Sequence, residues 1–110
     1  MIVATPASVE RAFGGHGALV SRVGSPPEIC YPAACSGIML WGGAKPIYFK
    51  PRIGKDFIVI LFKTRADAVK LARLETQSGI GAARHGSLLL LYYRLSPRLG
   101  RLRAALAASG

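Results

Sequence analysis

Gly54-Lys55-Asp56-Phe57-Ile58-Val59-Ile60-Leu61-Phe62, running through Lys63 into Thr64-Arg65-Ala66-Asp67-Ala68-Val69-Lys70-Leu71-Ala72-Arg73-Leu74, decides the fold class of this chain. A basic loop leads into a strand that is apolar at every position from 57 to 62, so the strand is expected to be central and covered on both faces. Thr64 is a good N-cap, and Asp67 three residues on suits both a capping-box variant and the positive end of a helix. The pattern predicts a helix over 65–77 that buries Ala68, Leu71, Ala72 and Leu74 and ends at Gly79.

Upstream, the apolar residues 1–4 read as a strand ended by Thr5-Pro6. Ser8 then caps a short helix over Val9-Glu10-Arg11-Ala12-Phe13, which Gly14-Gly15 stops. Residues 18–23 read as a second strand closed by Gly24-Ser25-Pro26-Pro27. A Pro- and Gly-rich insertion at about 24–54 follows, expected to hold a hairpin with arms at 37–41 and 47–49 and a Gly42-Gly43 turn. Downstream, residues 87–93 read as a strand. Ser96-Pro97 then opens a basic C-terminal helix in the segment 95–110, with Leu99, Leu102 and Leu106 on one stripe and Arg98 and Arg101 beside it. Two strand-helix-strand halves around an insertion give an α+β domain over residues 1–94. The expected architecture is a ferredoxin-like βαββαβ sandwich with its helices on one sheet face.

The chain has 110 residues, 15 Lys and Arg against 5 Asp and Glu, and a formal charge of +10. Such a chain is drawn to polyanions, nucleic acid or an anionic lipid surface. Hydrophobic residues make up 51% of it and the mean hydropathy is +0.33, which argues against a disordered basic tail and for a packed domain or a subunit covered by neighbours. No apolar run approaches the ~18 residues of a membrane span, so no transmembrane segment is expected. Residues 1–9 lack a basic region before a long apolar stretch, which points to an intracellular protein. The excess of 10 Arg over 5 Lys suits a mitochondrial ribonucleoprotein and equally a GC-rich genome.

Chemistry-bearing residues are sparse. Cys30 and Cys35 lie five apart in a Pro- and Ala-rich loop, and neither His16 nor His85 is near another ligand, so the cysteines read as loop thiols or a local disulfide rather than a zinc site. Gly14-Gly15-His16-Gly17 lacks the Lys-Ser/Thr of a phosphate-binding loop. With five carboxylates and two distant histidines, no catalytic set emerges, and neither enzymatic activity nor a metal or cofactor is expected.

Residues 55–62, Lys-Asp-Phe-Ile-Val-Ile-Leu-Phe, resemble the third-strand octapeptide of the RNA-recognition motif. Lys55 matches its basic position, Phe57 its first stacking aromatic, Ile60 its aliphatic position and Phe62 its core aromatic. Asp56 stands in place of glycine, Ile58 in place of a small residue and Val59 in place of the second stacking aromatic. Residues 65–78 are similar to the family's second helix, and 9–23 to the end of its first helix and its second strand. Ile2 occupies the aromatic position of the first strand, and the connection 24–54 exceeds the family's length. The resemblance implies a sheet that offers aromatics to single-stranded bases. A stacked base is worth about 1–3 kcal/mol, so a platform reduced to Phe57 would leave RNA held by phosphate contacts. Together the resemblance and the charge nominate Lys50, Arg52, Lys55, Phe57, Lys63, Arg98, Arg101 and Arg103 for RNA. Trp41, Tyr48 and Phe49 are further candidates for stacking surface. A buried-core role for Phe57 and a merely solvated face for the C-terminal arginines stay open.

The expected function is a non-catalytic, RNA-associated structural component of a ribonucleoprotein such as an organellar ribosome, with RNA and neighbouring protein subunits as partners. An accessory subunit of a respiratory membrane complex fits the same composition. Pro26-Pro27-Glu28-Ile29 with Cys35-Ser36-Gly37 is also similar to a small sulfur or selenium carrier family, although Pro27 replaces its Arg and Ser36 splits its Cys-Gly pair.

Overall fold

The computed structural model describes residues 4–24, 46–75 and 80–109. Among them are helices α1 (Pro6–Gly15), α2 (Arg65–Glu75) and α3 (Leu99–Ala108), and strands β1 (Val20–Val23), β2 (Ile47–Pro51), β3 (Phe57–Leu61), β4 (Ile80–His85) and β5 (Leu88–Tyr93). The strands form one antiparallel sheet in the order β1-β2-β3-β5-β4. The fold is α+β, and the described residues form an open five-stranded sheet and three helices.

The doubly apolar run at 57–61 sits in the middle of the sheet with every residue buried, paired with β2 on one side and β5 on the other. Side chains alternate across a strand, and the two sets enter separate cores. Phe57, Val59 and Leu61 join Leu88, Leu90 and Tyr92 beneath α1 and α3, where Val9, Phe13, Leu102, Ala105 and Leu106 complete the layer. Ile58, Ile60 and Phe62 join Tyr48, Leu89 and Leu91 beneath Ala68 and Leu71 of α2. Helices therefore cover both sheet faces, where the sequence led us to expect them on one. The cause is in β3 and β5 themselves: strands apolar on both sides leave hydrocarbon in water unless each face is covered.

Among the described residues the element order also differs from βαββαβ. The first described element is a helix, and the expected strand at 1–4 falls outside the described residues save Ala4, which is not in a strand. Thr5, read as a strand terminator, is the N-cap of α1: its Oγ1 accepts the Ser8 N–H at 3.1 Å, Ser8 Oγ accepts the Thr5 N–H at 2.8 Å, and Pro6 opens the helix. The first arm of the expected hairpin, at 37–41, and its Gly42-Gly43 turn lie outside the described residues. Its second arm is part of β2, which belongs to the main sheet and bonds to β1 and β3. The second half keeps a split strand-helix-strand unit: β3 and β4 each run antiparallel to β5 and so parallel to one another, with β5 between them.

β4 escaped the sequence reading because Ile80-Gly81-Ala82-Ala83-Arg84-His85 is poor in β-branched and aromatic residues. Its pairing is held by a two-residue Gly86-Ser87 turn, with Gly86 at φ 61°, and by the apolar strand beside it. Gly81 lies opposite Tyr92, whose ring covers it: a Cβ added at Gly81 would come 2.3 Å from Cε2 and 2.4 Å from Cζ. Gly81→Ala is expected to displace the ring and, with it, the bond that Arg103 donates to the Tyr92 hydroxyl at 3.2 Å. The overpacking should cost about 1–3 kcal/mol, read as a lowered midpoint in thermal melts. Tyr92→Ala in the same chain should recover part of the loss caused by the added methyl, a non-additivity that checks the contact.

α2 starts as its cap predicts, with Thr64 Oγ1 accepting the Asp67 N–H at 3.2 Å. Ala68 and Leu71 are buried and Ala72 is half-buried, while the side chain of Leu74 lies outside the described residues. Along α3, Leu102 and Leu106 are buried with Ala105, and Leu99 packs at the margin. The helix begins two residues after Ser96-Pro97, with Arg98 as its N-cap. Ser96 instead donates its hydroxyl to Asp56. α1 and α3 lie side by side, joined at one end by Ser8 Oγ donating to Ser109 O at 2.7 Å.

Candidate nucleic-acid interface

Three connections meet at the end of the sheet where β1 and β3 begin and β2 and β5 finish. They are residues 16–19 after α1, 52–56 between β2 and β3, and 94–98 between β5 and α3. Backbone bonds tie them together: the Arg52 N–H donates to Leu19 O at 2.9 Å, and the Tyr93 N–H to Asp56 O at 2.9 Å.

Asp56 is the clamp among these loops. Its carboxylate accepts from Arg98 Nη2 and, at 3.2 Å, from Arg98 Nε, and from Ser96 Oγ at 2.6 Å. Ser96 Oγ in turn accepts the Arg98 N–H at 3.3 Å, and Arg98 Nη2 donates to Ile53 O at 3.0 Å. The paired side chains are each about one-fifth exposed, so the pair sits in a partly desolvated niche. Burial alone would raise the Asp56 pKa. The hydrogen bonds from Arg98 and Ser96 outweigh it and hold the carboxyl below its ordinary value.

The nominated residues separate into groups. Lys50, Arg52, Lys55, Arg98 and Arg101 all come to this end of the sheet: Arg52 Nε donates to Ser21 Oγ at 3.0 Å, and Arg101 reaches over Gly17. Arg98, however, is engaged by Asp56 and lies over the Phe57 ring, 5.1 Å from its centroid. Lys63 follows β3 at the opposite end, and Arg103 lies against Tyr92 on the α3 side.

Phe57 is fully buried, stacked on Phe13 with ring centroids 6.1 Å apart and planes 15° off parallel, and Arg98 lies over its ring. It has no face open to a base, so it belongs to the core. Tyr48 and Phe49 are also buried, and desolvation raises the Tyr48 pKa above its ordinary value. Trp41, Cys30 and Cys35 lie outside the described residues. His16 caps α1, with Nδ1 2.8 Å from Ala12 O, while His85 ends β4 at the far end of the sheet.

The same end holds residues that sequence reasoning passed over. Arg94 is exposed and adds a cation, and Tyr93 presents a half-exposed ring at the end of β5. Their signal was the Tyr92-Tyr93-Arg94-Leu95 run, in which alternation must turn one tyrosine inward and the other out. Lys50, Arg52, Lys55, Arg94, Arg98 and Arg101 all lie at this end of the sheet, and among the described residues of these loops the one carboxylate is Asp56, which Arg98 engages. Comparisons with protein-family models, with curated proteins and with solved structures found no match to this chain.

Proposed function

We propose that this protein is a non-catalytic RNA-associated structural component that holds RNA through its phosphates at the loop end of the sheet. The observation that supports this reading is the convergence of Lys50, Arg52, Lys55 and Arg101, separated in sequence, around one set of loops, with Arg94 beside them. Arg98 contributes indirectly by fixing those loops to Asp56. Since Phe57 is enclosed, the reading rests on charge, with the half-exposed ring of Tyr93 at the same end of the sheet open to a base. Such contacts orient a strand without reading its sequence. The relation to the RNA-recognition motif would then lie in the split β3-α2-β4 unit rather than in its stacking aromatics.

Binding to a short single-stranded RNA across a salt series tests the reading. The affinity should fall steeply with salt, by about 0.7 in log-log slope for each phosphate contact, and neutralising Arg52 and Arg101 together should flatten the slope by about 1.4. Affinity should differ little among base sequences. A salt-independent affinity, or a slope unchanged in the double variant, would refute it.

A further inference from the structure

Among the described residues, the large apolar side chains left exposed are Leu19, Ile53, Tyr93 and Leu95, and all four belong to this same end of the sheet. Ile53 is 77% exposed and Leu95 96%, far beyond what a side chain packed at the margin of a core would show. Leu19 adjoins Ile53 through the bond from Arg52 N–H to Leu19 O, and Ile53 is fastened to the start of α3 by Arg98. Ser96 N–H donating to Tyr93 O at 2.9 Å closes the turn that carries Leu95. Aliphatic tips are thus held outward on tied loops, where the described residues include six cations and one carboxylate, engaged by Arg98.

Each part of this arrangement has a separate physical requirement. Cations attract any polyanion, and RNA phosphates would satisfy them. Ile53, Leu95 and Leu19 gain nothing from a phosphate backbone and offer no ring for a base, whereas hydrocarbon buries them favourably. A surface that is anionic at its face and apolar just beneath meets both demands, as the cytoplasmic-type leaflet of a bilayer does. Tyr93 fits the same boundary, with an apolar ring and a polar tip. We propose that this end of the sheet docks on an anionic membrane surface, with Ile53 and Leu95 entering below the headgroups and Arg52, Lys55, Arg94 and Arg101 against lipid phosphates. The attachment is peripheral, since no helix among the described residues is long and apolar enough to cross a bilayer.

The test is co-sedimentation of the full chain with vesicles of phosphatidylcholine alone and of phosphatidylcholine mixed with phosphatidylserine, alongside Ile53→Ser/Leu95→Ser. Both positions are exposed, so the double variant should keep its circular dichroism spectrum and melting midpoint. The native chain should bind the phosphatidylserine vesicles and leave phosphatidylcholine vesicles in suspension. The serine pair should lower vesicle partition about tenfold or more while its affinity for single-stranded RNA stays within about twofold. Vesicle binding that ignores the serine pair would overturn the proposal, because charge alone would then suffice. So would absence of vesicle binding by the native chain, or self-association that the serine pair abolishes without any vesicle binding, which would assign the tips to a protein interface. A fall in RNA affinity parallel to the loss of vesicle binding would overturn it in favour of an RNA site. The RNA reading fails separately, if the native chain binds vesicles but no RNA.

Discussion

Phe57→Ala should destabilise the fold strongly rather than merely weaken a binding surface. The ring is enclosed by Phe13, Arg98 and the core beneath α1 and α3, and its loss leaves a cavity in the most central strand. Truncating a buried phenylalanine costs about 3–5 kcal/mol, against a total stability of about 5–15 kcal/mol for a domain. Urea unfolding followed by circular dichroism should therefore show a midpoint displaced strongly to lower denaturant, with loss of the α1–α3 layer. Phe57→Leu keeps most of the volume and should cost less, and RNA affinity in that folded variant should match the native chain. A normal midpoint in Phe57→Ala, with reduced RNA binding, would instead restore the ring to a stacking platform.

Asp56→Ala should produce the second large loss. It removes the acceptor for two bonds from Arg98 and one from Ser96, and leaves a guanidinium in a niche about one-fifth exposed with its charge unanswered. Breaking a pair of this kind costs about 2–4 kcal/mol once partial solvent screening is allowed for. The three loops it fastens should also become susceptible to proteolysis between residues 52 and 56. Because the folded Asp56 pKa lies below its unfolded value, the pair's stabilisation is fully present above the ordinary aspartate value of 3.8 and is lost as pH falls through the lower folded value. Denaturation titrated below about pH 4 should show that loss in the native chain. Asp56→Asn should be weaker at neutral pH and should lack the part of the acid slope that belongs to this residue. Equal acid slopes in the two chains would remove Asp56 from the account.

These two residues also mark how far the sequence could be read. In the octapeptide pattern Phe57 is a ring for bases and Asp56 a misfit in the glycine position. In the structure the ring is core and the misfit is the clamp. The pattern recorded which residue types occur around a strand start, but not what covers the strand. Cover comes from α1 and α3, whose residues are some forty positions away along the chain in each direction. Similarly, Ser96-Pro97 carries a helix-start signal, yet its serine is drawn to Asp56, while Thr5-Pro6, read as a stop, begins α1. Identical local chemistry serves a cap or a turn according to what stands opposite.

Local physics was sufficient wherever a few adjacent residues set the outcome. Apolar side chains at every position of 57–62 required a central strand, Thr64 and Asp67 fixed the start of α2, and the Leu99, Leu102 and Leu106 spacing fixed the buried stripe of α3. The net charge of +10 was likewise plain from composition. Which helix lies on which face, the place of β4 at the sheet edge, and the gathering of Leu19, Ile53, Leu95 and their cations at one end were decided by tertiary structure alone. Each follows from strand pairing and from burial of hydrocarbon across long chain separations, where free energy depends on what is brought together and not on sequence spacing.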